Sequence, residues 1–565
     1  MTLPSEGAHA PAATASEPIW FASYPPGVPH RIDPDAYPSL AALLLDACAS
    51  HAAHPAFECL GVRMSYAEWG ATSRAFAAFL VEEAKLRPGE RVAIMLPNLL
   101  AYPVAFQGAL RAGLVVVNVN PLYTPRELKE QLADSGATAI VIMENFAYKL
   151  ETVLAETQIR HVVVARLGDF MPALKRTLFN YANTYIRRAV PAWRFERFSL
   201  LQAACKRAPG AGYTDAQPAA ASPALLQYTG GTTGVPKGAV LTHRNLVANT
   251  LQCRAVIAPF IVEERGSVLT PLPLYHIFSL TANLLAFALM GGLSVLVPDP
   301  RDIKGLIKTM RRAQVTTMTG VNTLFNALIN NPQFAALDFS KMSFAVGGGA
   351  AVQSAVATRW QEITGTKLVE GYGLTEASPV VCINPVPAPK LGTVGLPVPS
   401  TEVAIRDDRG DGLPTGEAGE IWVRGPQVMQ GYWQRPDETA LVLTADGWLD
   451  TGDIGAFDAQ GFLKILDRKK DMINVSGFKV FPNEVEDVMV QHPGVLEAAV
   501  IGVADAHTGQ SVKLFAVKRD PAVTEAELAK FARERLAGYK VPKTIVFIDS
   551  LPKSNVGKII RKDLR

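Results

Sequence analysis

The richest concentration of chemically useful residues is the string YTGGTTGVPKG, residues 228 to 238. Glycines at 230, 231 and 234 let the main chain approach anionic oxygens closely. Hydroxyls at Thr229, Thr232 and Thr233 add donors to the backbone N–H groups. Lys237 supplies a point positive charge suited to phosphate. The string is not a Walker A loop, which ends in Gly-Lys-Ser/Thr; here Pro236 precedes the lysine and Gly238 follows it. A Gly/Thr loop alone is most often a plain surface loop, but a fixed Pro-Lys-Gly ending within eleven residues makes chance a poor explanation.

Further polar residues recur down the chain. PLPLYHIF (271–278) carries His276, and Gly347-Gly348-Gly349-Ala350 is a run of minimal side chains. GYGLTEASP (371–379) carries Gly371, Tyr372, Gly373, Thr375 and Glu376. GWLDTGD (447–453) ends in Asp453, LDRKKDMINVSGFKVFPNEVE (466–486) holds Arg468 and Lys470, and PKSNVGKIIRKDL (552–564) holds Lys558. Each has an ordinary reading: a structural histidine, a core tyrosine, a turn aspartate, a solvated lysine near a basic terminus. A carboxylate, hydroxyls and lysines are also the groups that gather a hard cation and phosphate oxygens.

Taken in order, these strings resemble the adenylate-forming superfamily: acyl-CoA synthetases, peptide-synthetase adenylation domains and luciferases. The resemblance runs from about residue 228 to the end. The wording of YTGGTTGVPKG, LPLYHIF, GVNTLFNAL and DRKKDMINVSGFKVFPNEVEDV is similar to bacterial long-chain fatty acid:CoA ligases in particular. It implies ATP, Mg²⁺ and coenzyme A, with a fatty acid joined first to AMP and then to the thiol. It implies that Lys558 bridges the acid and the α-phosphate, that Glu376 and Thr229 hold Mg²⁺, and that Thr375 touches the α-phosphate. Tyr372 would stack on adenine, Asp453 would hold the ribose hydroxyls, Arg468 would reach the ribose or phosphate, and Gly348 and Gly349 would pass close to the adenylate. His276 would lie between acid and nucleotide, Lys470 would be the hinge of a rotating small domain, and Ser476, Gly477 and Phe478 would line the pantetheine channel.

No aspartate follows the histidine motif, which disfavours an amino-acid substrate because a buried ammonium wants a counter-charge. Apolar residues in 278–287 and 321–328 fit an alkyl tunnel or a plain buried helix equally well. Leu280 stands where some long-chain synthetases carry a gating Trp, so that gate is not carried over. Aryl- or short-acid ligases, a fatty-acyl-AMP ligase and, more remotely, a silent lipid-binding protein are the rival readings.

At 565 residues, more than one domain is expected. A net charge of +3 without a dense basic tract excludes a nucleic-acid partner. Five scattered cysteines without metal-ligand spacing fit a reducing, cytoplasmic setting. The start of the chain lacks a signal-peptide pattern. The uncharged stretch 277–298 reads as a buried helix (about 280–289) and a strand (293–297), because Asn283 and Gly291-Gly292 interrupt it.

Val/Ile-rich runs alternating with helical patterns between 91 and 165, and again between 292 and 347, argue for βαβ units. The expected fold is α/β. Residues 1–467 form a large N-terminal domain of parallel-sheet layers with a small β-rich section from about Val403, after a disordered lead-in at 1–19. Residues 468–471 form a hinge, and 472–565 a small mobile α+β domain. In 170–190, Met171, Leu174, Leu178, Ala182, Tyr185 and Ile186 share a helical face, with Arg176, Asn180, Asn183, Arg187 and Arg188 away from it. Packing of that apolar face onto the domain is the preferred reading. Peripheral contact with the cytoplasmic membrane face is the alternative.

Overall fold

The computed structural model describes residues 17–229, 236–261, 265–554, 557 and 559–565. Two large sheets carry most of it. In the first, the strands Val115–Asn118, Arg91–Met95, Ala139–Met143 and His161–Ala165 lie side by side in parallel. They are the Val/Ile runs of the sequence, and Val92 to Met95 are wholly buried, as expected of strands covered on both faces. Pro223–Thr229 extends the sheet in parallel, and Lys237–Thr242 returns antiparallel beside it. The second sheet has nine strands, with Pro55–Cys59, Leu293–Leu296, Ser267–Thr270, Thr317–Gly320, Phe344–Gly347 and Lys367–Gly373 parallel at its centre.

Connecting helices begin where local chemistry dictates. Ser65 with Glu68, and Thr124 with Glu127, form reciprocal capping boxes, and Pro125 takes the first turn of the second helix. Between the strands Ala139–Met143 and His161–Ala165 the helical pattern resolves into the short helix Ala147–Glu151 between two 3-10 turns. The uncharged stretch is helical from Ile277 to Leu289, widening into a π-turn at Leu280–Leu285, before the strand Leu293–Leu296. Among the described residues no helix is long and apolar enough to cross a membrane.

The β-rich section is a four-stranded antiparallel sheet, Glu402–Arg406, Gly419–Arg424, Leu449–Phe457 and Leu463–Arg468. After a turn in which the Asp471 and Met472 N–H groups donate to the Arg468 carbonyl, a small α+β unit follows. Its sheet of Ile473–Val475, Phe478–Val480, Val495–Asp505, Gly509–Lys518 and Thr544–Phe547 covers its own apolar cluster, from Val480, Val485 and Met489 to Leu514 and Leu528.

The segment Ala173–Tyr181, continued by a π-turn at Ala182–Ile186, reverses the expected packing. Asn183 is buried and Phe179 and Asn180 face the body, while Leu174, Leu178, Tyr181, Tyr185 and Ile186 are exposed. The physical reason is polar: the Gly168 N–H donates to Asn180 Oδ1 (2.7 Å), and Asn183 Nδ2 donates to Asn145 Oδ1 (3.0 Å).

Candidate active site

The sheets and the small unit enclose one cavity of about 1160 Å³. Thr229, Lys237, His276, Gly348, Gly349, Gly371, Tyr372, Gly373, Thr375, Glu376, Asp453, Arg468 and Lys470 all line it. Residues brought in from 229 to 470 thus converge on one space. Residues 230–234 and Lys558 lie outside the described residues. Gly557 and Ile559, flanking Lys558, line the same cavity.

Strand register places several of these groups. Thr229 and Lys237 pair across the antiparallel strands Pro223–Thr229 and Lys237–Thr242, so both ends of the glycine-rich string stand at the same end of this strand pair. The Lys237 ammonium pairs with Glu438 and lies 5.1 Å from the centre of the Tyr432 ring. The Tyr432 hydroxyl donates to Glu376 Oε1 (2.8 Å), and the Met429 N–H donates to the Glu376 carbonyl (2.7 Å). Burial and then the Glu376 charge hold the Tyr432 phenol above its usual range. Tyr432 and Glu438 therefore orient the two groups expected at phosphate and cation. Sequence reasoning missed both, since Tyr432 sits in a two-residue strand and Glu438 in a five-residue helix, neither with a motif of its own.

Asp453 and Arg468 are cross-strand partners in the β-rich sheet, with Nε 3.4 Å from Oδ1. The Tyr372 hydroxyl donates to Asp453 Oδ2 (2.7 Å), and burial followed by the Asp453 charge raises the phenol's pKa. Gly373 allows the approach of its neighbour strand: a β-carbon there would fall 2.2 Å from the Pro379 carbonyl oxygen. His276 Nδ1 accepts the Phe278 N–H at 3.4 Å, starting the helix behind it. Asn98 holds the preceding loop by donating to the Thr270 and Leu272 carbonyls and accepting the Leu274 N–H.

At its apolar end the cavity is lined by Phe278, Ala282 and Phe287, joined by Cys253, Val256, Ile257, Val268 and Phe344. Only Val321, Asn322 and Thr323 of the 321–328 stretch reach it; Leu324, Phe325 and Leu328 are buried, with Phe325 edge-on to Trp360 at 5.0 Å. Of the two readings open for that stretch, the buried helix holds: its apolar face turns into the core. Leu280 is fully buried. Burial pushes the Cys253 thiol up to about 12, which makes it an inert wall residue.

Where the small unit meets the body, Gly557 has φ +78° and its carbonyl accepts from Thr323 Oγ1 (3.2 Å). Arg561 spans the seam. It donates to Glu486 (2.9 Å), to Asp467 Oδ1 (3.2 Å) and to Asn483 Oδ1 (2.5 Å), while Asp467 Oδ2 accepts the Asn483 N–H (2.8 Å). Glu370 also lines the seam, where burial pushes its carboxyl up to about 8, and burial raises nearby Asp487 to about 6. Ser476 and Phe478 are not brought to the main cavity. They line a separate cleft of about 270 Å³, where Phe478 stacks on Tyr539 at 4.7 Å, and Gly477 sits with them at the hairpin tip.

A parallel two-sheet body, a small C-terminal unit and a seam lined by phosphate-suited groups define an adenylating enzyme. Residues 44–433 match the family model of the AMP-binding enzymes, and residues 484–558 that of the AMP-binding enzyme C-terminal domain; the chain belongs to this family. Within the family it is similar to the long-chain-fatty-acid–CoA ligase of Yersinia pestis, at 53% identity over 550 residues covering 97% of this chain and 98% of that protein. The protein of the same name from Salmonella typhimurium is 52% identical over 548 residues, with the same coverage. Among solved structures, the anthranilate CoA ligase in complex with anthranoyl-AMP superposes with a TM-score of 0.84 at 25% identity, covering 94% of this chain and 98% of that one.

Proposed function

We propose that this protein is an AMP-forming ligase that joins a long-chain fatty acid to coenzyme A. The observation that carries the reading is the large shared cavity, polar at Lys237, Glu376 and Asp453 and apolar from Phe278 to Phe344. It offers a nucleotide and an alkyl chain adjoining places. In the first step the acid's carboxylate oxygen attacks the α-phosphorus of ATP and pyrophosphate leaves. Lys237 and the glycine-rich string offset the charge on the departing phosphates, and Lys558 joins the two anions. The acid is already ionised near neutral pH, so His276 is assigned a positioning role. In the second step the coenzyme A thiol attacks the acyl carbon and AMP leaves.

Glu376 and Thr229 suit Mg²⁺, a hard cation that takes one or two protein oxygens and completes its shell with phosphate and water. Bound there, it would neutralise phosphate charge. Asp453 and Arg468 meet the ribose, with Tyr372 against the base, and Thr375, Gly371 and Gly373 frame the α-phosphate. The large domain is residues 1–467. Residues 468–471, with Lys470, are the hinge, and 472–565 rotate between the steps. That rotation would bring Ser476, Gly477 and Phe478 from their separate cleft to the pantetheine arm. A lipid substrate is met at a lipid surface, and 170–190 is the segment assigned to that meeting.

Pyrophosphate release from ATP and Mg²⁺ is measured across acids from acetate to oleate, with and without coenzyme A. Release that rises with chain length and needs coenzyme A for turnover is expected; preference for aryl or short acids would refute the substrate class. Lys558→Ala should abolish acyl-AMP formation yet still convert supplied acyl-AMP to acyl-CoA. Loss of both steps in a folded variant would remove the assigned role.

A further inference from the structure

Among the described residues twelve large hydrophobic side chains are exposed, and five of them lie within thirteen positions: Leu174, Leu178, Tyr181, Tyr185 and Ile186. Leu174 is 75% exposed and Ile186 71%. A soluble surface scatters such residues, so a contiguous cluster marks a contact. The helix that carries them is not loosely hung. Besides the asparagine bonds on its inner face, Asn145 Nδ2 donates to the Ala189 carbonyl (2.9 Å). A β-carbon at Gly168 would fall 2.8 Å from the Arg176 carbonyl oxygen. The body thus grips the helix by its polar side and presents its apolar side outward.

Charge selects the partner. Between 173 and 198 the chain has six basic residues, Lys175, Arg176, Arg187, Arg188, Arg194 and Arg197, against one acid, Glu196. All but Arg176 are exposed. Tyr181 and Tyr185, their ring centres 5.0 Å apart, present aromatic bodies with polar tips, the form suited to a headgroup layer. A protein groove would match the leucines but has no need of a surrounding field of arginines. We infer that Ala173–Ile186 is the surface by which the enzyme lies on an anionic bilayer, apolar face down, arginines among the headgroups. This rests on the fatty-acid reading only for its purpose, since the contact itself involves neither substrate nor cavity.

The test is sedimentation of the full chain with vesicles, without substrate. Phosphatidylcholine alone is compared with an equal mixture of phosphatidylcholine and phosphatidylglycerol. Binding to the mixture that weakens as salt rises is expected. Arg187→Gln with Arg188→Gln should weaken it roughly 25-fold at low salt, from about fivefold per basic residue near such a surface. Leu178→Ser with Ile186→Ser should abolish binding to both vesicles. Both variants should keep the melting temperature and the turnover of octanoate, a water-soluble acid. No binding by the parent chain, or variants that bind like it, would overturn the inference. So would a dimer that the serine pair makes monomeric, which would assign the face to a second copy. Failure to activate any acid would instead refute the ligase reading and leave the vesicle result standing.

Discussion

Removing the guanidinium of Arg561 should loosen the small unit in a pH-dependent way. Arg561 sits among three carboxylates, with Asp467 and Glu486 bonded directly and Asp471 at 3.8 Å. Its side chain is 16% exposed, and those of Asp467 and Glu486 are 1% and 12% exposed, so solvent screens the cluster little. Burial raises the pKa of both bonded carboxyls, and Arg561 is the charge that most opposes the rise. Arg561→Met leaves these carboxylates facing one another. Taking one partner from a buried pair costs 3 to 5 kcal/mol, and slight exposure favours the lower end, about 3 kcal/mol. Glu486 Oε1 also accepts the Val500 N–H (2.8 Å), so the loss reaches the strand Val495–Asp505 directly. Hydrogen exchange of that strand should run roughly 150-fold faster, as about 3 kcal/mol implies at 1.36 kcal/mol per tenfold. The sign with pH follows from the direction of the shifts. A raised carboxyl favours the folded state while it holds its proton and penalises it once ionised. The penalty therefore appears as pH climbs through the folded pKa values, which the substitution moves higher still. The gap between variant and parent should be small in acid and widen toward neutral and alkaline pH. Arg561→Lys, which keeps the charge but not the fork, should fall between them. Less than about fivefold faster exchange at neutral pH, or a gap widest in acid, would refute the reasoning.

Gly557→Ala should slow acyl-AMP formation at least about tenfold while sparing thioester formation from supplied acyl-AMP. The left-handed backbone alone costs an ordinary residue about 1–2 kcal/mol, and the new methyl would fall 2.7 Å from Thr323 Oγ1. Single-turnover assays of the two steps check this. Cys253→Phe fills the apolar end of the cavity and should shift preference to shorter acids. Displacing about three methylenes, at about 0.8 kcal/mol each, costs a long acid roughly 60-fold in kcat/KM relative to a short one. A unchanged chain-length profile would remove Cys253 from the acyl wall.

The parallel strands were legible because Val92 to Met95 and their neighbours are covered on both faces, and continuous β-branched runs announce that situation. The convergence of Thr229, Tyr372, Glu376, Asp453 and Arg468 was legible through motif order, since spacing alone says nothing of which strand ends meet. The amphipathic helix shows the limit of periodicity. Leu174, Leu178 and Tyr185 mark a face, but whether that face turns inward depends on Asn145 and Gly168, which belong to other elements. The apolar end of the cavity was half read, because Cys253, Val256 and Phe344 become neighbours of Phe278 only in three dimensions. Arg561, in a basic tail, reads as a solvated charge until folding buries it against Asp467.

The position of Arg565 has a practical consequence. Arg565 lines the main cavity and pairs with Asp471 at 3.1 Å. A bulky label carried on the Arg565 side chain would stand in the cavity wall, beside the turn on which the small unit is hung. A reporter at this position is thus a perturbation of the seam, and assays of domain rotation are better built on labels placed away from it.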